Sequence, residues 1–307
     1  MLTSFYQRFV PAQIRSNFFF QKAGLIAEGL KNHKMVQRLL HEQKKNCSAE
    51  DMKPLLEYAR HNRFTLTSVK LTFLSPFVEK YKRNDAKVFY CEQTQLYYVV
   101  HKEKKLYWKR GVDPFKISWQ YMALLAEQDA ESPHHYWTKK TTFNDQILFD
   151  IGAAEGLITL DHITELKHAY LFECDSLWIE ALKATFKPYA DKISLVGQYV
   201  AEKTDPQTNF ISIDDFSKQK NITPDLIKMD IEGFEEAAIC GCERTIKQSP
   251  KIEIEVCAYH KPQAYEQLNK QLTNLGCTCL ANPGYIYFYN DQRKPLLRKG
   301  VIHAVKE

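Results

Sequence analysis

The sequence has no long apolar run. Nowhere do the roughly 18 uncharged apolar residues of a membrane-spanning helix stand together. The start, MLTSFYQRFVPAQIRSNFFF, also lacks an apolar segment of about 7–15 residues followed by a small-residue cleavage site. We therefore expect a cytoplasmic protein. With 44% hydrophobic and 26% charged residues among 307, the composition is that of a globular chain that buries a core.

Cysteine is too sparse and too scattered for a disulfide scaffold. Without an export signal, the eight cysteines are expected to be reduced thiols. One residue separates Cys240 from Cys242 and Cys277 from Cys279, whereas structural zinc sites space such pairs by about two to four. The cysteines are therefore predicted to be buried packing residues.

Positive charge is concentrated in the first half of the chain. Residues 1–140 hold 24 lysines and arginines against 13 acids, a balance of +11, whereas residues 141–307 hold 18 against 24, a balance of −6. This difference predicts a basic accessory module, 1–140, followed by a second domain, 141–307. The module suits an anionic partner, substrate or membrane surface, or it complements the acidic half. No nucleic-acid partner is expected.

The accessory module has mixed helical and strand patterns. Residues 17–45 place apolar side chains at helical spacing with Lys and Arg between them, which predicts a basic amphipathic helix. Such a helix suits an anionic membrane surface or a second subunit. Residues 50–83 also have a helical pattern. Two or three antiparallel strands are predicted for KVFYCEQTQLYYVVHKEKKLYWKRG, and another helix is predicted for SWQYMALLAEQDA.

These strands are rich in aromatic residues, namely Tyr97, Tyr98, Tyr107 and Trp108. Aromatic faces beside Lys and Arg suit sugar rings and anionic groups. We therefore expect the module to form a lid or docking surface for a glycan or another small-molecule acceptor. The alternative is that the aromatic strand belongs to a core.

From residue 147, short apolar strands alternate with helical segments. The strand segments are ILFDI, AYLFE, ISLVG, LIKMD, IEIEV, CTCLA and YIYFYN. This alternation predicts a mainly parallel sheet covered by helices on both faces, with the final hairpin as an antiparallel edge. Ligands bind such sheets outside the carboxyl ends of the strands.

The first of these strands ends in FDIGAAEG. It lacks the GK[ST] ending of a phosphate-gripping loop, and Leu157 stands where a dinucleotide fingerprint has its third glycine. What remains is an acid, Asp150, that can accept hydrogen bonds from a polar ligand, then Gly152, which lets the backbone pass close to a ligand, and Gly156, which opens the helix. This pattern favours a ligand with a cationic amino-acid portion over a pyrophosphate.

The second strand ends in Glu173, about 20 residues after the glycine turn, where an acid can accept both hydroxyls of a ribose. The alternative is a solvated loop charge. Asp214 is a further candidate for cofactor binding, although Ser212 and Asp215 in the same segment also have the spacing of a helix cap.

The segments FDIGAAEG, FECD, SIDDF, PDLIKMDIEGFEEAAICG and KIEIEV resemble, over about residues 143–280, the FkbM family of S-adenosylmethionine-dependent methyltransferases. The resemblance implies an α/β fold, the Rossmann-like seven-stranded methyltransferase sheet. It also implies cofactor contacts by Asp150, Gly152, Ala153 and Gly156 at the methionine part and by Glu173 at the ribose. Glu155 is a further candidate for cofactor binding. At position 155 the family often has Asn, and the stretch between SLVG and SIDDF is short here.

Methyl transfer to an alcohol requires near-attack geometry and removal of the hydroxyl proton, by a base or with the help of a metal. Asp230 and Glu232 after the fourth strand and His260 after the fifth are the predicted catalytic residues, as base or as ligands of a divalent metal. Their structural alternatives are first-turn acids of the next helix and a surface histidine.

We therefore expect an S-adenosylmethionine-dependent methyltransferase, and the resemblance suggests O-methylation of a sugar or glycan-related hydroxyl. Two alternatives stay open. One is a non-catalytic cofactor-binding protein of the same fold. The other is a nicotinamide-dependent oxidoreductase, against which the missing third glycine counts.

Overall fold

The computed structural model describes residues 49–62, 68–289 and 291–307. The smaller of two compact units contains the described residues up to Glu79 together with Tyr285–Arg298, and the larger contains Lys80–Gly284 and Lys299–Glu307. Residues 80–140 are thus in the same unit as the sheet, and a functional division at residue 140 stays a prediction. The helix predicted for residues 17–45 lies outside the described residues.

The elements are numbered in chain order. The helices are α1 Ala49–His61, α2 Ser68–Phe73, α3 Pro114–Glu127, α4 Leu157–His162, α5 Ser176–Thr185, α6 Ile213–Lys220, α7 Glu235–Cys240, α8 Glu243–Gln248 and α9 Ala264–Asn274. The strands are β1 Val88–Cys91, β2 Leu96–His101, β3 Lys104–Tyr107, β4 Ile147–Ile151, β5 His168–Phe172, β6 Ile193–Val196, β7 Tyr199–Val200, β8 Phe210–Ile211, β9 Leu226–Met229, β10 Ile252–Cys257, β11 Thr278–Ala281, β12 Ile286–Tyr287, β13 Leu297–Arg298 and β14 Val301–Lys306. No helix of the described residues is long and apolar enough to cross a membrane.

Within the described residues, the larger unit is built on a seven-stranded sheet with the order β11-β14-β10-β9-β4-β5-β6. Neighbouring strands are parallel except at β14, which runs antiparallel to β10 and to β11. The order reverses beside β4, because β5 and β6 extend the sheet on one side and β9 and β10 on the other. The carboxyl ends of β4 and β9 therefore border the crevice where doubly wound sheets bind ligands. The predicted fold class is confirmed.

The end of the chain differs from the prediction. Among the described residues of the segment YIYFYN, Ile286–Tyr287 forms a strand, which pairs with Leu297–Arg298 in the smaller unit and not with the main sheet. The antiparallel strand is Val301–Lys306, and it lies inside the sheet instead of at its edge. Its residues 301–304 are buried on both faces, so they carry no alternation of apolar and polar side chains.

Strands β1 to β3 form a separate antiparallel sheet that shares a core with the main sheet. Trp108 is 1% exposed, and its Nε1 donates a hydrogen bond to Gln120 Oε1 at 2.9 Å. Tyr107 is buried as well, and its backbone N–H donates to Thr185 Oγ1 at 3.0 Å. The expectation that these two rings face a sugar is therefore wrong, because they fill the core. Tyr97 and Tyr98 are half-buried, and a docking role for them stays a prediction.

Side-chain caps begin three helices of the larger unit. Asp113, Asp175 and Ser212 accept hydrogen bonds from backbone N–H groups of the first turns of α3, α5 and α6. The Ser212 bond comes from the N–H of Asp215 at 3.2 Å, which confirms the predicted cap. The described cysteines carry free thiols and are buried or half-buried.

Candidate functional site

Two cavities adjoin at the carboxyl ends of β4, β5 and β9. The larger has a volume of about 900 Å³ and the smaller about 160 Å³. Gly152, Ala154 and Asp230 line both, so the turn after β4 and the end of β9 separate them. The crevice expected from the strand order therefore has two compartments.

The glycine turn depends on two left-handed glycines. Gly152 has φ +76°, and a Cβ there would lie 1.9 Å from the carbonyl oxygen of Asp230. Gly156 caps α4 with φ +79°, and a Cβ there would lie 2.7 Å from Leu182 Cδ2. Both positions therefore exclude larger residues, as the sequence pattern indicated. The N–H groups of Gly152 and Ala153 donate to Phe172 O, which fixes the turn on the end of β5.

Glu173 follows β5 and faces the larger cavity. Its Oε1 accepts the N–H groups of Cys174 and Asp175 at 2.7 and 2.8 Å, and its Oε2 accepts the N–H of Ala154 at 2.9 Å. Since a carboxylate oxygen has two acceptor positions, Oε2 keeps one for a ligand. Accepting both hydroxyls of a ribose, as predicted, requires Oε1 to give up one of its backbone bonds.

Rings surround the larger cavity. Its lining includes the side chains of Phe172, Trp178, Tyr199, Phe210 and Phe234. Tyr199 and Phe234 are 53% and 65% exposed, which is unusual for aromatic residues without a ligand or partner. This wall suits a flat heterocycle.

A buried ion pair lies between the cavities. Lys228 on β9 stands opposite Asp150 on β4, and its Nζ lies 3.2 Å from Asp150 Oδ1 and donates to Gly152 O at 2.5 Å. Thr159 donates to Asp150 Oδ2 at 2.7 Å. Burial acts to lower the pKa of Lys228, but Asp150 and Asp230 outweigh it and raise that pKa. Lys228 is therefore a permanent cation that fixes the glycine turn.

The three predicted catalytic residues lie together. Asp230 Oδ2 accepts the hydroxyl of Tyr136 at 2.8 Å, while Oδ1 lies 3.4 Å from His260 Nε2. Glu232 Oε2 lies 3.5 Å from the same nitrogen. The buried Glu235 lies on the other side of the ring, with Oε1 2.8 Å from His260 Nδ1.

Local charges set the ionisation of this group. Burial acts to raise the pKa of Asp230, but Lys228, His134 and His260 together lower it below its usual value. Burial acts to lower the pKa of His260, and the hydrogen bond with Glu235 together with the charge of Asp230 raises it overall. Asp230 is thus a carboxylate at neutral pH.

The smaller cavity is acidic. Glu127 from α3 and Glu155 from the glycine turn line it, and no described side chain hydrogen-bonds or ion-pairs with either carboxylate. Burial, with the charges of Asp230 and Glu155, raises the pKa of Glu127 to about 8. Burial also raises the pKa of Glu155 to about 7, against the effect of its own backbone N–H and of Lys228. A cation that enters this cavity therefore meets two carboxyl groups without partners.

The structure brings most of the predicted residues together. Asp150, Gly152, Ala153, Glu155 and Asp230 line the smaller cavity, and Gly152, Glu173, Asp230 and Glu232 line the larger. Asp214 lies elsewhere. Its carboxylate accepts the N–H groups of Arg244 and Thr245 and the Thr245 hydroxyl at the start of α8.

Sequence reasoning missed several residues that line the smaller cavity or contact the predicted catalytic residues, namely Glu127, His134, Tyr136, Lys228 and Glu235. A signal existed for Lys228, since a lysine inside the apolar run LIKM requires an acid on a neighbouring strand. No local pattern marks Tyr136, because tertiary packing brings it to Asp230 across 94 residues of chain.

The sheet order and the crevice are those of a Rossmann-like methyltransferase fold. Residues 150–280 match the family model of the methyltransferase FkbM domain, in agreement with the resemblance. No curated protein matches the chain.

Several solved methyltransferases are similar in fold. A methyltransferase FkbM from Methylobacillus flagellatus KT is 17% identical with a TM-score of 0.44, and the match covers 91% of this chain and 60% of that one. The precorrin-6y C5,15-methyltransferase from Geobacter metallireducens GS-15 is 13% identical, with a TM-score of 0.36 over 54% and 82% of the two chains. The magnesium protoporphyrin IX methyltransferase from Synechocystis PCC 6803, solved with bound SAM, is 10% identical, with a TM-score of 0.35 over 53% and 71%.

Proposed function

We propose that the chain is an S-adenosylmethionine-dependent methyltransferase that acts on a hydroxyl group of a sugar or glycan. The observation that carries the proposal is the pair of adjoining cavities, one aromatic and one acidic, on the two sides of the glycine turn. A nucleoside joined to a cationic amino acid has these two chemistries in one molecule. The cytoplasmic location stays a prediction.

The larger cavity fits the adenosine part. Trp178 and Phe210 offer ring surfaces to the base, and Oε2 of Glu173 has an acceptor position for a ribose hydroxyl. The smaller cavity fits the amino-acid part, because Glu127 and Glu155 can pair with its ammonium group. When bound, this cofactor supplies a methyl group whose bond to sulfur breaks with its electron pair left on sulfur, while the acceptor oxygen forms the new bond to carbon.

Residues at the end of β9 then remove the proton from the acceptor hydroxyl. Asp230 is ionised, lines both cavities and is held in place by the Tyr136 hydroxyl. Glu232 is 90% exposed and 3.5 Å from His260, so it can pass a proton to water. General-base catalysis of this kind contributes about 10²–10⁴ in rate.

The nicotinamide alternative fits less well. A dinucleotide brings a doubly charged pyrophosphate to the turn after the first strand. Here that turn adjoins the carboxylate of Asp230, which repels phosphate groups, and Lys228 beside it is paired with Asp150. The proposal therefore expects binding of S-adenosylmethionine and none of NADH.

The test is calorimetry with S-adenosylmethionine, S-adenosylhomocysteine and NADH, followed by transfer of a labelled methyl group to mono- and oligosaccharides. Asp230→Asn should keep cofactor affinity and lose transfer, while Glu173→Gln should lose affinity. Binding of NADH in preference to S-adenosylmethionine would overturn the proposal. Cofactor binding without transfer to any hydroxyl acceptor would favour the non-catalytic alternative.

A further inference from the structure

The larger cavity has room for a second ligand beside a nucleoside. Its volume of about 900 Å³ is near the upper end of the range for small-molecule pockets, about 300–1,000 Å³. The residues assigned to adenosine, Glu173, Trp178 and Phe210, belong to the end of β5, to α5 and to β8. Glu232 and Phe234 line the same cavity from the end of β9, on the other side of β4 in the sheet order. The β9 side of the cavity is therefore left for the acceptor.

The methyl group to be transferred lies beside this end of β9. With adenosine in the larger cavity and the amino-acid part in the smaller, the sulfonium lies where the cavities adjoin, a place lined by Gly152, Ala154 and Asp230. Asp230 is the first residue after β9, and Glu232 and Phe234 follow it closely. An acceptor oxygen in near-attack position is about 3–3.5 Å from the methyl carbon. The rest of the acceptor then lies against Glu232 and Phe234.

Phe234 offers an open ring face to such a ligand. It is 65% exposed, and among the described residues no ring or cation stacks on it. Tyr199 in the same cavity instead has an edge contact with Phe210, with 5.9 Å between the ring centroids. Gly233, with φ +100°, gives the chain its turn just before Phe234, a conformation that glycine adopts readily. An open aromatic face suits the apolar face of a sugar ring.

Glu232 has a carboxylate oxygen available for a ligand. Its side chain is 90% exposed, and its φ of +55° is unfavourable for a residue other than glycine, as is common at functional sites. The ring of His260 is protonated, because Nδ1 faces Glu235 Oε1 at 2.8 Å and Nε2 faces Glu232 Oε2 at 3.5 Å. This cation holds Oε2, while no described group bonds to Oε1. Since a carboxylate only accepts hydrogen bonds, the group that meets Oε1 must be a donor such as a hydroxyl.

The charges around the larger cavity disfavour an anionic acceptor. Of the described residues that line it, four are acidic and none is Lys, Arg or His. Lys109 pairs with Asp175 at 2.8 Å, and His260 Nε2 lies 3.4 Å from Asp230 Oδ1. Both cations, and the exposed Lys261, are outside the lining. A phosphate or carboxylate group on the acceptor would therefore meet carboxylates without a cation in the lining to pair with it.

We propose that Phe234 and Glu232 form the acceptor subsite and select an uncharged sugar. The sugar stacks an apolar ring face on Phe234 and donates a hydroxyl hydrogen bond to Glu232 Oε1. This inference rests on the proposed function and specifies the acceptor within it. An anionic partner of the basic residues 1–140 would then bind elsewhere.

The test is saturation-transfer NMR with the full chain and S-adenosylhomocysteine. The probes are the methyl glycosides of glucose, galactose and mannose, each paired with its uronic acid. We expect at least one neutral glycoside to bind about tenfold or more tightly than its uronic acid, because like charges repel. Phe234→Ala should weaken this binding by about 3–10-fold and Phe234→Tyr should retain it, both with unchanged affinity for S-adenosylhomocysteine. The matched control is Phe115→Ala, which removes a 57% exposed ring outside the cavity and should bind like the wild type.

The charge selectivity is tested with Glu232→Gln. The amide can donate as well as accept, so the preference for the neutral member of a pair should fall. The readout is the ratio of the two affinities, which a role of Glu232 in proton transfer would not change. An unchanged ratio, a wild-type preference for uronic acids, or equal binding by the wild type and Phe234→Ala would overturn the subsite.

Failure of the subsite can be distinguished from failure of the proposed function. A chain that binds S-adenosylhomocysteine but none of the neutral glycosides would overturn the subsite, and so would methyl transfer to uronic acids in preference to neutral sugars, which leaves the methyltransferase function intact. Glycoside binding as expected in a chain that binds neither S-adenosylmethionine nor S-adenosylhomocysteine would support the subsite and refute the proposed function.

Discussion

The two carboxyl groups of the smaller cavity should make cofactor affinity depend on pH. Burial raises the pKa of Glu155 to about 7 and that of Glu127 to about 8. Both are therefore mainly protonated near pH 6 in the empty site, and because they interact, the pair titrates as a unit. An ammonium group binds the carboxylate form, so binding near pH 6 should release about one proton. The affinity for S-adenosylmethionine should then rise with pH, up to the pH at which the carboxyl group is already ionised in the empty site.

The magnitude follows from the ionised fraction. A carboxyl group with a pKa of about 7 is roughly one-tenth ionised at pH 6, which costs about 1.4 kcal/mol, or roughly tenfold in affinity, compared with the fully ionised site. Calorimetry between about pH 6 and 8.5, in buffers of different ionisation enthalpy, measures both the affinity and the protons released.

Matched ligands and variants isolate the carboxyl pair. S-adenosylhomocysteine keeps the ammonium group and should show the same pH dependence, whereas 5′-methylthioadenosine lacks the amino-acid part and should show none. Glu155→Gln should flatten the profile, and Glu92→Gln, an exposed acid in the β1–β2 turn, should not. An S-adenosylmethionine affinity that is constant over this range, with no proton release, would refute the reasoning.

Three further substitutions test the supports of the site. Gly152→Ala should destabilise the protein by about 2–5 kcal/mol, because it adds a clash with backbone to left-handed strain; Gly111→Ala, where φ is +84° but space is open, should cost only about 1–2 kcal/mol in denaturant unfolding. Lys228→Met leaves Asp150 buried without its cation and should cost about 3–5 kcal/mol, most of which Asp150→Asn should restore in the double variant; a fully stable single variant contradicts this. Glu173→Gln should weaken S-adenosylmethionine binding roughly tenfold or more in calorimetry; unchanged affinity in a folded variant excludes Glu173 from the site.

Much of the sheet could be predicted because its strands are short apolar runs between helical segments. The prediction for β4, Ile147–Ile151, has the observed bounds. The last strand was predicted wrongly for a physical reason. The Tyr-rich segment 285–290 has the stronger strand pattern, but among its described residues the strand is limited to Ile286–Tyr287, and Val301–Lys306 lies inside the main sheet.

Residues of the candidate site could be predicted only where they lie at the ends of strands. Asp150, Glu173 and Asp230 each follow from the rule that ligands bind at the carboxyl ends of parallel strands. Glu127 and Tyr136 lie on residues 114–140, before the sheet begins, and no spacing in the sequence relates them to the glycine turn. Such contacts depend on how one segment packs on another, which local patterns do not encode.

The positions of Glu127 and Tyr136 bear on the role of the predicted accessory module, residues 1–140. Glu127 and Tyr136 lie outside residues 150–280, which match the methyltransferase FkbM domain, yet both line the smaller cavity. Residues 80–140 also contribute Trp108 to the core that contains Leu148 of the main sheet. Residues 80–140 are therefore part of the structure that forms the candidate site. Glu155 of the matched region and Glu127 of residues 80–140 line the same cavity, so both parts of the chain form it.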